Sequence, residues 1–499
     1  MTRHNLKRRS ALVGLLLVGG SLCWASPASA DVVLLEKGGW TFFTRGRIGA
    51  FLSVGFGDDF PDPTDPLPGA DPSMPSPNPT HFVSGFSGTQ TFGWHSDYQR
   101  TATGKFFTMR VRSGTLSNVL GFGLKHAVGN SATATGYISI WAPIESFGRD
   151  KWKAITPDVR EGYVDIEGTF GTVTAGRMMP LLGRTSYEVD FLYGHGYGVG
   201  FPCVDAQGPT CGQVGLGALH PGYAAGFLYT TPSFGGLRLS AGVFDPARLL
   251  SPASTNGGVP YQRVPFLRPE GAITFDTALG ASGKLKIGAE GAFQPVTAVQ
   301  DEDTDYNPAT EAVPIETKKS VWGVSGGARV EVGPLRVGAA AFTGKGTGLY
   351  NPFAASDVTG APAVEQHFDP TTMTVVTVLN PAHAELRTFS GVHGQLAAVF
   401  GGAEVGVGGG VGIVGRLPSD DQNYNVSAAK QQIGVGAHFN YALTDNVMAG
   451  ADYMHVMARW YGAPAAVMDA NGQTVTNGQL LAAEKQDLDF INVGVTFHW

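Results

Sequence analysis

Apolar and polar residues alternate along much of this chain with a period of two. From Trp40 onward, the even-numbered positions are mostly apolar, whereas the odd-numbered positions include Arg45 and Arg47. Successive side chains of a β-strand point to opposite faces, so this alternation predicts a strand with one apolar and one polar face. The same pattern returns around Val330 and Val337. An all-β fold is therefore expected.

Connections of two lengths separate the predicted strands. Gly333-Pro334 and Gly401-Gly402 are short turns within hairpins, since glycine and proline favour tight turns. Longer polar or proline-rich stretches stand between hairpins, at 57–114, 295–320, 346–385 and 461–485. Short turns at one end of the strands and long loops at the other are typical of outer-membrane β-barrels.

Sixteen segments carry the strand pattern. They begin near Trp40, Thr115, Ala132, Arg160, Thr172, Gly222, Leu237, Pro269, Lys284, Val321, Leu335, Leu386, Ala403, Lys430, Val447 and Lys485. The second strand has two interpretations, because Lys105 to Arg112 also alternates and is either the strand itself or part of the first long loop. A barrel of about sixteen strands keeps an aqueous lumen, whereas eight strands enclose a lumen filled by side chains. We predict a transmembrane, antiparallel, up-and-down β-barrel.

The last residues of the chain form another alternating segment. Val495, Phe497 and Trp499 are interleaved with Thr496 and His498. An aromatic final residue on such a strand is typical of exported barrels, and the other interpretation is an ordinary edge strand of a sandwich. We expect this segment to close the barrel.

The first thirty residues have the composition of a secretory signal peptide. Basic residues from Arg3 to Arg9 precede an apolar run from Ala11 to Cys23, and Ala28-Ser29-Ala30 is an A-x-A cleavage site. The run is shorter than the roughly 20 residues that span a bilayer, which disfavours a membrane-anchoring helix. We expect residues 1–30 to be removed and residues 31–499 to form one barrel domain in the outer membrane.

Composition and charge narrow the choice of function. The chain has 71 glycines and 43% apolar residues, too apolar for a disordered protein and too rich in glycine for long helices. No run of 18 apolar residues follows the signal segment, so a membrane protein of this sequence has to be a barrel. Removing the signal changes the formal net charge from -7 to -11, which argues against a nucleic-acid partner and favours cations in an aqueous channel.

No enzyme chemistry is expected. The 12 histidines are scattered, and no G-x-S-x-G elbow sits between a strand and a helix. We expect no cofactor, no metal site and no catalytic residue. Two further alternatives on the same scaffold stay open, a substrate-specific channel, for example for sugars, and a surface adhesion barrel.

Three stretches of the chain are similar to segments of one known family. They run from Glu161 through Phe170 to Arg177, from Phe227 to Gly236, and along the closing strand to Trp499. The first two resemble the hairpins before and after the constriction loop of the Gram-negative general porins, whose sixteen-strand branch forms trimers. The resemblance implies a water-filled outer-membrane channel for passive diffusion of ions and small hydrophilic solutes, assembled as a homotrimer in outer-membrane lipid.

The resemblance also implies a constriction. The segment at about 178–221 would fold into the lumen, where carboxylates oppose basic side chains of the wall. The loop carboxylates are Glu188, Asp190 and Asp205, and the wall bases are Arg45, Arg47, Arg177, Arg238, Arg329 and Arg336. Each strand arginine except Arg177 is out of phase with its apolar neighbours, which places it in the lumen, since a lipid-facing arginine costs roughly 2–4 kcal/mol at the midplane. Arg177 needs a bulge or a position above the lipid. Leu228 stands where the family often has an arginine, so the basic ladder is incomplete.

The predicted loop is rich in aromatic residues and contains two cysteines. Its aromatic side chains include Phe191, Tyr193 and Tyr197. They either pack against the wall, which we favour, or form a stacking track for sugars. Cys203 and Cys211 lie eight positions apart in an oxidising compartment, which predicts a local disulfide, whereas a metal site would need more ligands nearby.

Overall fold

Antiparallel strands dominate the part of the chain that the computed structural model describes. The described residues are 31–58, 82–83, 105–114, 118–142, 144, 158–191, 210–247, 262–263, 266–280, 282–299, 316–350, 363–369, 374–380, 385–417, 426–427, 429–462, 464–468, 474–480, 483 and 485–499. The predicted signal peptide, residues 1–30, lies outside them.

The elements in chain order are one short helix and a long series of strands. They are β1 (Val32–Lys37), β2 (Trp40–Asp58), β3 (Phe82–Val83), β4 (Lys105–Arg112), β5 (Asn118–Val128), β6 (Ala132–Ala142), β7 (Asp158–Gly168), β8 (Gly171–Met178), α1 (Arg184–Val189), β9 (Ala224–Thr230), β10 (Leu237–Phe244), β11 (Gln262–Arg263), β12 (Arg268–Leu279), β13 (Gly283–Val299), β14 (Glu316–Val332), β15 (Leu335–Lys345), β16 (Ala363–Asp369), β17 (Thr374–Asn380), β18 (Thr388–Phe400), β19 (Ala403–Val414), β20 (Val426–Ser427), β21 (Ala429–Ala442), β22 (Val447–Trp460), β23 (Pro464–Met468), β24 (Thr474–Leu480) and β25 (Lys485–His498).

The main sheet closes into a barrel. Its neighbouring strands are antiparallel, and β2 pairs with the last strand, β25, so the sheet has no free side along this seam. At the seam, Gly46 and Trp499 exchange backbone hydrogen bonds of 2.9 and 3.0 Å. Because β4 and β5 both pair with β2, they form one interrupted wall strand, and the wall has sixteen strands. The predicted fold class is confirmed.

The second strand and the long connections differ in detail from the sequence expectation. Lys105–Arg112 is paired wall structure in β4, so it belongs to the strand and not to the first loop. The predicted loop at 295–320 is too long, because β13 and β14 continue their pairing to Val299 and Glu316. The loops at 346–385 and 461–485 contain small hairpins of their own, β16–β17 and β23–β24. Tertiary pairing extends these strands beyond the alternating core of each segment.

The two faces of the wall have opposite character. On β15 the outward side chains of Leu335 and Val337 are 51% and 48% exposed, whereas the inward Ala340 and Phe342 are 4% and 5% exposed. The same alternation runs along the other wall strands, and the exposed residues are mainly valine, leucine, isoleucine and phenylalanine. An apolar outer face suits a hydrocarbon environment, and polar inward residues suit a lumen. No helix among the described residues is long and apolar enough to cross a membrane.

An apolar core lies inside the barrel and not between layers. Fully buried members include Trp141 and Phe389 from the wall and Leu182, Leu216 and Tyr350 from connections after β8 and β15. Two segments of chain therefore fold inward and pack against the inner wall. This inner packing is what narrows the lumen.

Candidate functional site

The described parts of the connection between β8 and β9, residues 179–191 and 210–223, lie in the lumen, and we call this connection the inward loop. Its helix α1 packs on β13, β14 and β15. At the far end of the helix, the Phe191 N–H donates to Gln395 Oε1 at 3.0 Å, and Gln395 Nε2 donates to Asp190 Oδ1 at 2.6 Å. The helix is thus fastened to one side of the barrel, within the lumen into which the resemblance implied that this segment folds.

Glycines on the wall receive the returning half of this loop. A side chain on Gly410 would meet Leu216 O at 2.3 Å, and one on Gly434 would meet the Leu216 side chain at 2.4 Å. Gly217 of the loop, with φ of +97°, lies equally close to the wall, because a Cβ on this residue would be 2.1 Å from Val392 O. The inward glycines of β19 and β21 therefore form a seat for residues 214–218. We call strands β12 to β15, β18, β19 and β21 the loop-bearing wall.

A second connection supports the inward loop from the extracellular side. The His220 N–H donates to Tyr350 O at 2.9 Å, and the Tyr350 hydroxyl donates to Gln432 Oε1 at 2.7 Å. Burial raises the pKa of the Tyr350 phenol, so this group stays a donor. The sequence analysis missed this contact, because nothing in the local pattern at 346–350 indicates an inward course.

The inward loop also touches the opposite side of the barrel. The Thr210 N–H reaches Gly114 O at 3.4 Å, at the interruption between β4 and β5. Gly114 has φ of +83°, a backbone conformation that glycine adopts without strain. Described residues of the loop thus contact both sides of the barrel, and the break in the second wall strand coincides with the contact at Gly114.

The predicted loop carboxylates face the loop-bearing wall. Glu188 forms an ion pair with Lys286, and its side chain is 13% exposed. Asp190 is buried, with its carboxylate against Gln395. Asp205 lies outside the described residues. Neither described carboxylate projects across the lumen towards the arginines of the opposite wall.

Two of the predicted arginines lie on the opposite wall among aromatic rings. Arg45 pairs with Asp31 at 2.9 Å, and its guanidinium lies 5.2 and 4.9 Å from the ring centroids of Phe43 and Tyr137. The Arg47 guanidinium lies 5.9 Å from the Trp141 ring. Such cation–π contacts hold the side chains along the wall. Both arginines are inward, as their parity predicted.

The sequence analysis missed two neighbouring bases. Lys125 forms a second ion pair with Asp31, and Arg160 pairs with Asp158 at 2.6 Å and lies 4.8 Å from the Trp141 ring. Lys125 has the same parity as the inward glycines of β5, so its inward position was predictable from the alternating pattern. Arg160 sits at a register shift between β6 and β7, which no local pattern reveals. We call the surface formed by Arg45, Arg47, Lys125 and Arg160 the basic wall.

Three other predicted arginines lie inward but away from the basic wall. Arg329 pairs with Glu331 at 2.7 Å and lies 5.1 Å from the Phe191 ring. Arg336 pairs with Glu404, whose other oxygen lies 3.1 Å from His438 Nε2. The remaining one, Arg238, lies 3.6 Å from Asp276 beside a short turn of the barrel. These bases belong to the loop-bearing side and its neighbours and do not form one ladder with the basic wall.

Arg177 is not a lumen residue. It is exposed with the same parity as Val173, and its Nε donates to Arg160 O at 3.1 Å. The pairing of β7 with β8 continues through Arg177 without a register shift, so no bulge turns the side chain inward. The expectation that it contributes to the constriction is corrected: its side chain lies on the outer face, at the end of β8 next to the inward loop.

The loop aromatics and cysteines are described only in part. Phe191 is 3% exposed, and its ring lies against Gly338 and Arg329 of the wall. Tyr193 and Tyr197 lie outside the described residues. Cys211 is disulfide-bonded, and Cys203 lies outside the described residues.

Comparison with known proteins identifies the family. A family model of Gram-negative porins matches residues 25–459. The chain belongs to this family. Among curated proteins, none matches the sequence of this porin. The porin is therefore an outer-membrane protein whose barrel forms a diffusion channel.

Solved porin structures share its fold. The outer membrane channel DcaP of Acinetobacter baumannii is similar with a TM-score of 0.55 and 11% identity, covering 94% of this chain and 100% of that chain. The anion-selective porin from Comamonas acidovorans is similar with a TM-score of 0.50 and 13% identity, covering 92% of this chain and 100% of that chain. At these low sequence identities, the similarity shows that the proteins share the barrel fold and nothing more.

Proposed function

We propose that ions and small hydrophilic solutes pass between the inward loop and the basic wall, and that the channel is general and not substrate-specific. The observation that carries this proposal is the fastening of the loop to the loop-bearing wall, at Gln395 and at Gly410, while its described residues reach the opposite side at Gly114. Across from that side, the side chains of Arg45, Lys125 and Arg160 keep 25%, 29% and 25% of their surface exposed. Charged, partly exposed groups are the lining that hydrated solutes need.

The charge balance of this lining favours weak ion selectivity. Each partly exposed base has a carboxylate within 4 Å, but Arg45 and Lys125 share Asp31 and Arg160 has Asp158, so these three bases and two carboxylates keep only one net positive charge. Charge at a constriction matters more for selectivity than the net charge of the chain. A reversal potential close to zero in a KCl gradient is expected. A strong preference for either ion would contradict this charge balance, and saturable block by one solute would favour the substrate-specific alternative.

One contact among the described residues resembles the serine–histidine pair of hydrolases, but we propose that it has a structural role in a channel. Ser186 Oγ lies 3.3 Å from His393 Nε2, but both side chains are buried between the loop and the wall, where a substrate has no access. Ser186 Oγ also accepts the Leu219 N–H at 3.1 Å, so its role is to fasten the loop. Labelling of Ser186 by a serine-reactive fluorophosphonate would contradict this interpretation.

A homotrimer is proposed from the outer face of β22 and β25. Asp489 accepts hydrogen bonds from the Tyr453 hydroxyl at 2.6 Å and lies 2.9 Å from His455 Nδ1. Nearby, Arg459 pairs with Asp487 at 2.5 Å. These residues share the outward parity of the exposed Ile491 and Val493, and charged groups facing lipid are costly. A neighbouring subunit would cover them.

Substitution of Asp489 distinguishes an outer face that is covered by neighbouring subunits from one that is covered by lipid. If the face is covered by subunits, Asp489→Leu weakens the trimer in detergent, measured by light scattering coupled to size-exclusion chromatography. If lipid covers it, the same substitution leaves the mass unchanged and stabilises the barrel, because a carboxylate has been removed from an apolar surface. The second result would contradict the proposal.

Cleavage after Ala30 is also proposed, which makes Asp31 the first residue of the exported porin. Support comes from the Asp31 carboxylate, which bridges Arg45 and Lys125 on the basic wall. Intact-mass analysis of the protein from outer membranes tests this, since retention of the first thirty residues would add their full mass.

A further inference from the structure

A wall carboxylate accepts two backbone hydrogen bonds from the inward loop just before α1. Glu270 Oε2 accepts the Leu181 N–H at 2.6 Å and the Leu182 N–H at 2.9 Å. Its other oxygen, Oε1, accepts Arg268 Nε at 2.7 Å. Glu270 is buried at 5% exposure, so all of these bonds lie away from bulk water. Hydrogen bonds to a charged acceptor are about twice as strong as those between neutral groups.

A second wall carboxylate continues the same series one strand further. Glu290 Oε1 accepts the Thr185 N–H at 2.6 Å, and Glu290 Oε2 accepts the Ser325 hydroxyl at 2.6 Å. Ser325 Oγ in turn accepts the Gly183 N–H at 2.9 Å. Four loop amides at 181–183 and 185 are thus held by three neighbouring strands, β12, β13 and β14.

The first turn of α1 depends on these contacts. The first amides of a helix have no partner within the helix. Gly183 stands at the N-cap position in the left-handed conformation, with φ of 89°, and no side chain of the loop caps the helix. The wall therefore supplies the hydrogen-bond acceptors for these amides, which the loop itself lacks. The position of the loop consequently depends on the carboxylates of Glu270 and Glu290.

We propose that Glu270 and Glu290 are positioning residues that set the aperture of the channel by fixing residues 181–185 of the inward loop to the wall. The proposal rests on the diffusion-channel function, because the held segment begins the loop whose Thr210 reaches Gly114 on the opposite side of the barrel. Both residues act through the backbone of the loop and not by contact with the solute. Without them the loop gains other positions, and the open channel changes its conductance.

Carboxylates suit this role better than amides. Both oxygens of each carboxylate are used as acceptors, by backbone amides on one side and by Arg268 or Ser325 on the other. A glutamine offers one acceptor oxygen, and its amino group would face a donor. Glu290→Gln should therefore loosen the loop partly, and Glu270→Ala combined with Glu290→Ala should loosen it fully.

The test combines hydrogen exchange with single-channel recording on the full porin. In the double alanine variant, the amides of Leu181, Leu182 and Thr185 should exchange at least roughly tenfold faster than in the wild type, as expected for lost bonds to a charged acceptor. Exchange in β18 to β25 should stay unchanged. Current through the variant should show added substates or a changed main conductance, with a smaller change in Glu290→Gln.

A matched control is Asp165→Asn. Asp165 is another buried wall carboxylate, and it accepts the Thr174 hydroxyl at 2.5 Å between two wall strands. Its variant should leave the exchange of residues 181–185 and the main conductance as in the wild type. Unchanged exchange and unchanged current in the double alanine variant, or in Glu290→Gln if the double variant does not fold, would overturn the proposal. A wild type that does not conduct while the exchange result holds would instead count against the channel function.

Discussion

The loop-bearing wall and the basic wall show how one barrel can build two inner surfaces. Inward positions of the first are rich in glycine, as at Gly410 and Gly434, and admit the backbone of the inward loop to close range. Inward positions of the second carry long bases on aromatic rings, as with Arg45 over Tyr137. Small residues let one side of the lumen accept a loop, and charged residues leave the other side wettable. The width of the channel therefore depends on both walls, because one holds the loop and the other lines the remaining space.

Filling the glycine seat should give the largest effect. A valine in place of Gly410 would put its Cβ 2.3 Å from Leu216 O and 2.6 Å from Val392 O, too close for either atom. We expect Gly410→Val to cost roughly 1–3 kcal/mol of folding free energy or to displace the loop. Thermal unfolding and single-channel conductance measure the two outcomes.

The control for this substitution is Gly136→Val. A side chain at Gly136 would meet no heavy atom within 4 Å, and its φ is not in the left-handed region. Equal effects of the two valines would show that the seat for residues 214–218 does not depend on its small residues.

Removing charge from the basic wall should change selectivity more than stability. Arg45→Ala combined with Lys125→Ala leaves Asp31 without the two bases that it pairs with. We expect the reversal potential to move towards cations by several-fold in permeability ratio, since a carboxylate then dominates this lining. No movement would show that the ion path lies elsewhere in the lumen.

A neutral side chain at Arg329 should produce a smaller change. Its guanidinium lies 5.1 Å from the Phe191 ring, on the loop-bearing side. Arg329→Met keeps most of the packing and removes about 0.5–1 kcal/mol of cation–π attraction. We expect noisier open-channel current with an unchanged ion preference. A shift of ion preference as large as that of the Arg45 and Lys125 variant would place Arg329 in the main ion path.

Arg177→Ala should have the smallest effect. Its side chain lies on the outer face with the parity of Val173. Conductance and reversal potential should match the wild type. A shift in reversal potential comparable to that of the Arg45 and Lys125 variant would return Arg177 to the lumen and contradict the observed register.

Sequence alone predicted the wall well because alternation is local. The strands predicted to begin near Leu335 and Ala403 coincide with β15 and β19. A few residues of alternation are enough to show which side chains of a strand face outward. The second strand was ambiguous for a physical reason, because it is interrupted where Thr210 reaches Gly114. Two strand segments, β4 and β5, share that wall position, and both alternate in sequence.

The constriction was less accessible to sequence reasoning. Parity placed Arg45 and Arg47 correctly on the inner face, but it carries no information about which distant strand a loop will touch. The hydrogen bonds from Leu181 to Glu270 and from Thr185 to Glu290 join residues 89 and 105 positions apart. Such contacts follow from barrel closure and not from any local spacing. The family resemblance supplied the inward course of the loop, and only the fold supplied its partners.

The most direct test of the account is current through the purified porin in a planar bilayer under a KCl gradient. We predict stepwise, ohmic openings with a reversal potential close to zero, because a water-filled path runs along a wall whose partly exposed bases each have a carboxylate within 4 Å. Absence of steps from correctly folded protein would contradict the open path between the inward loop and the basic wall.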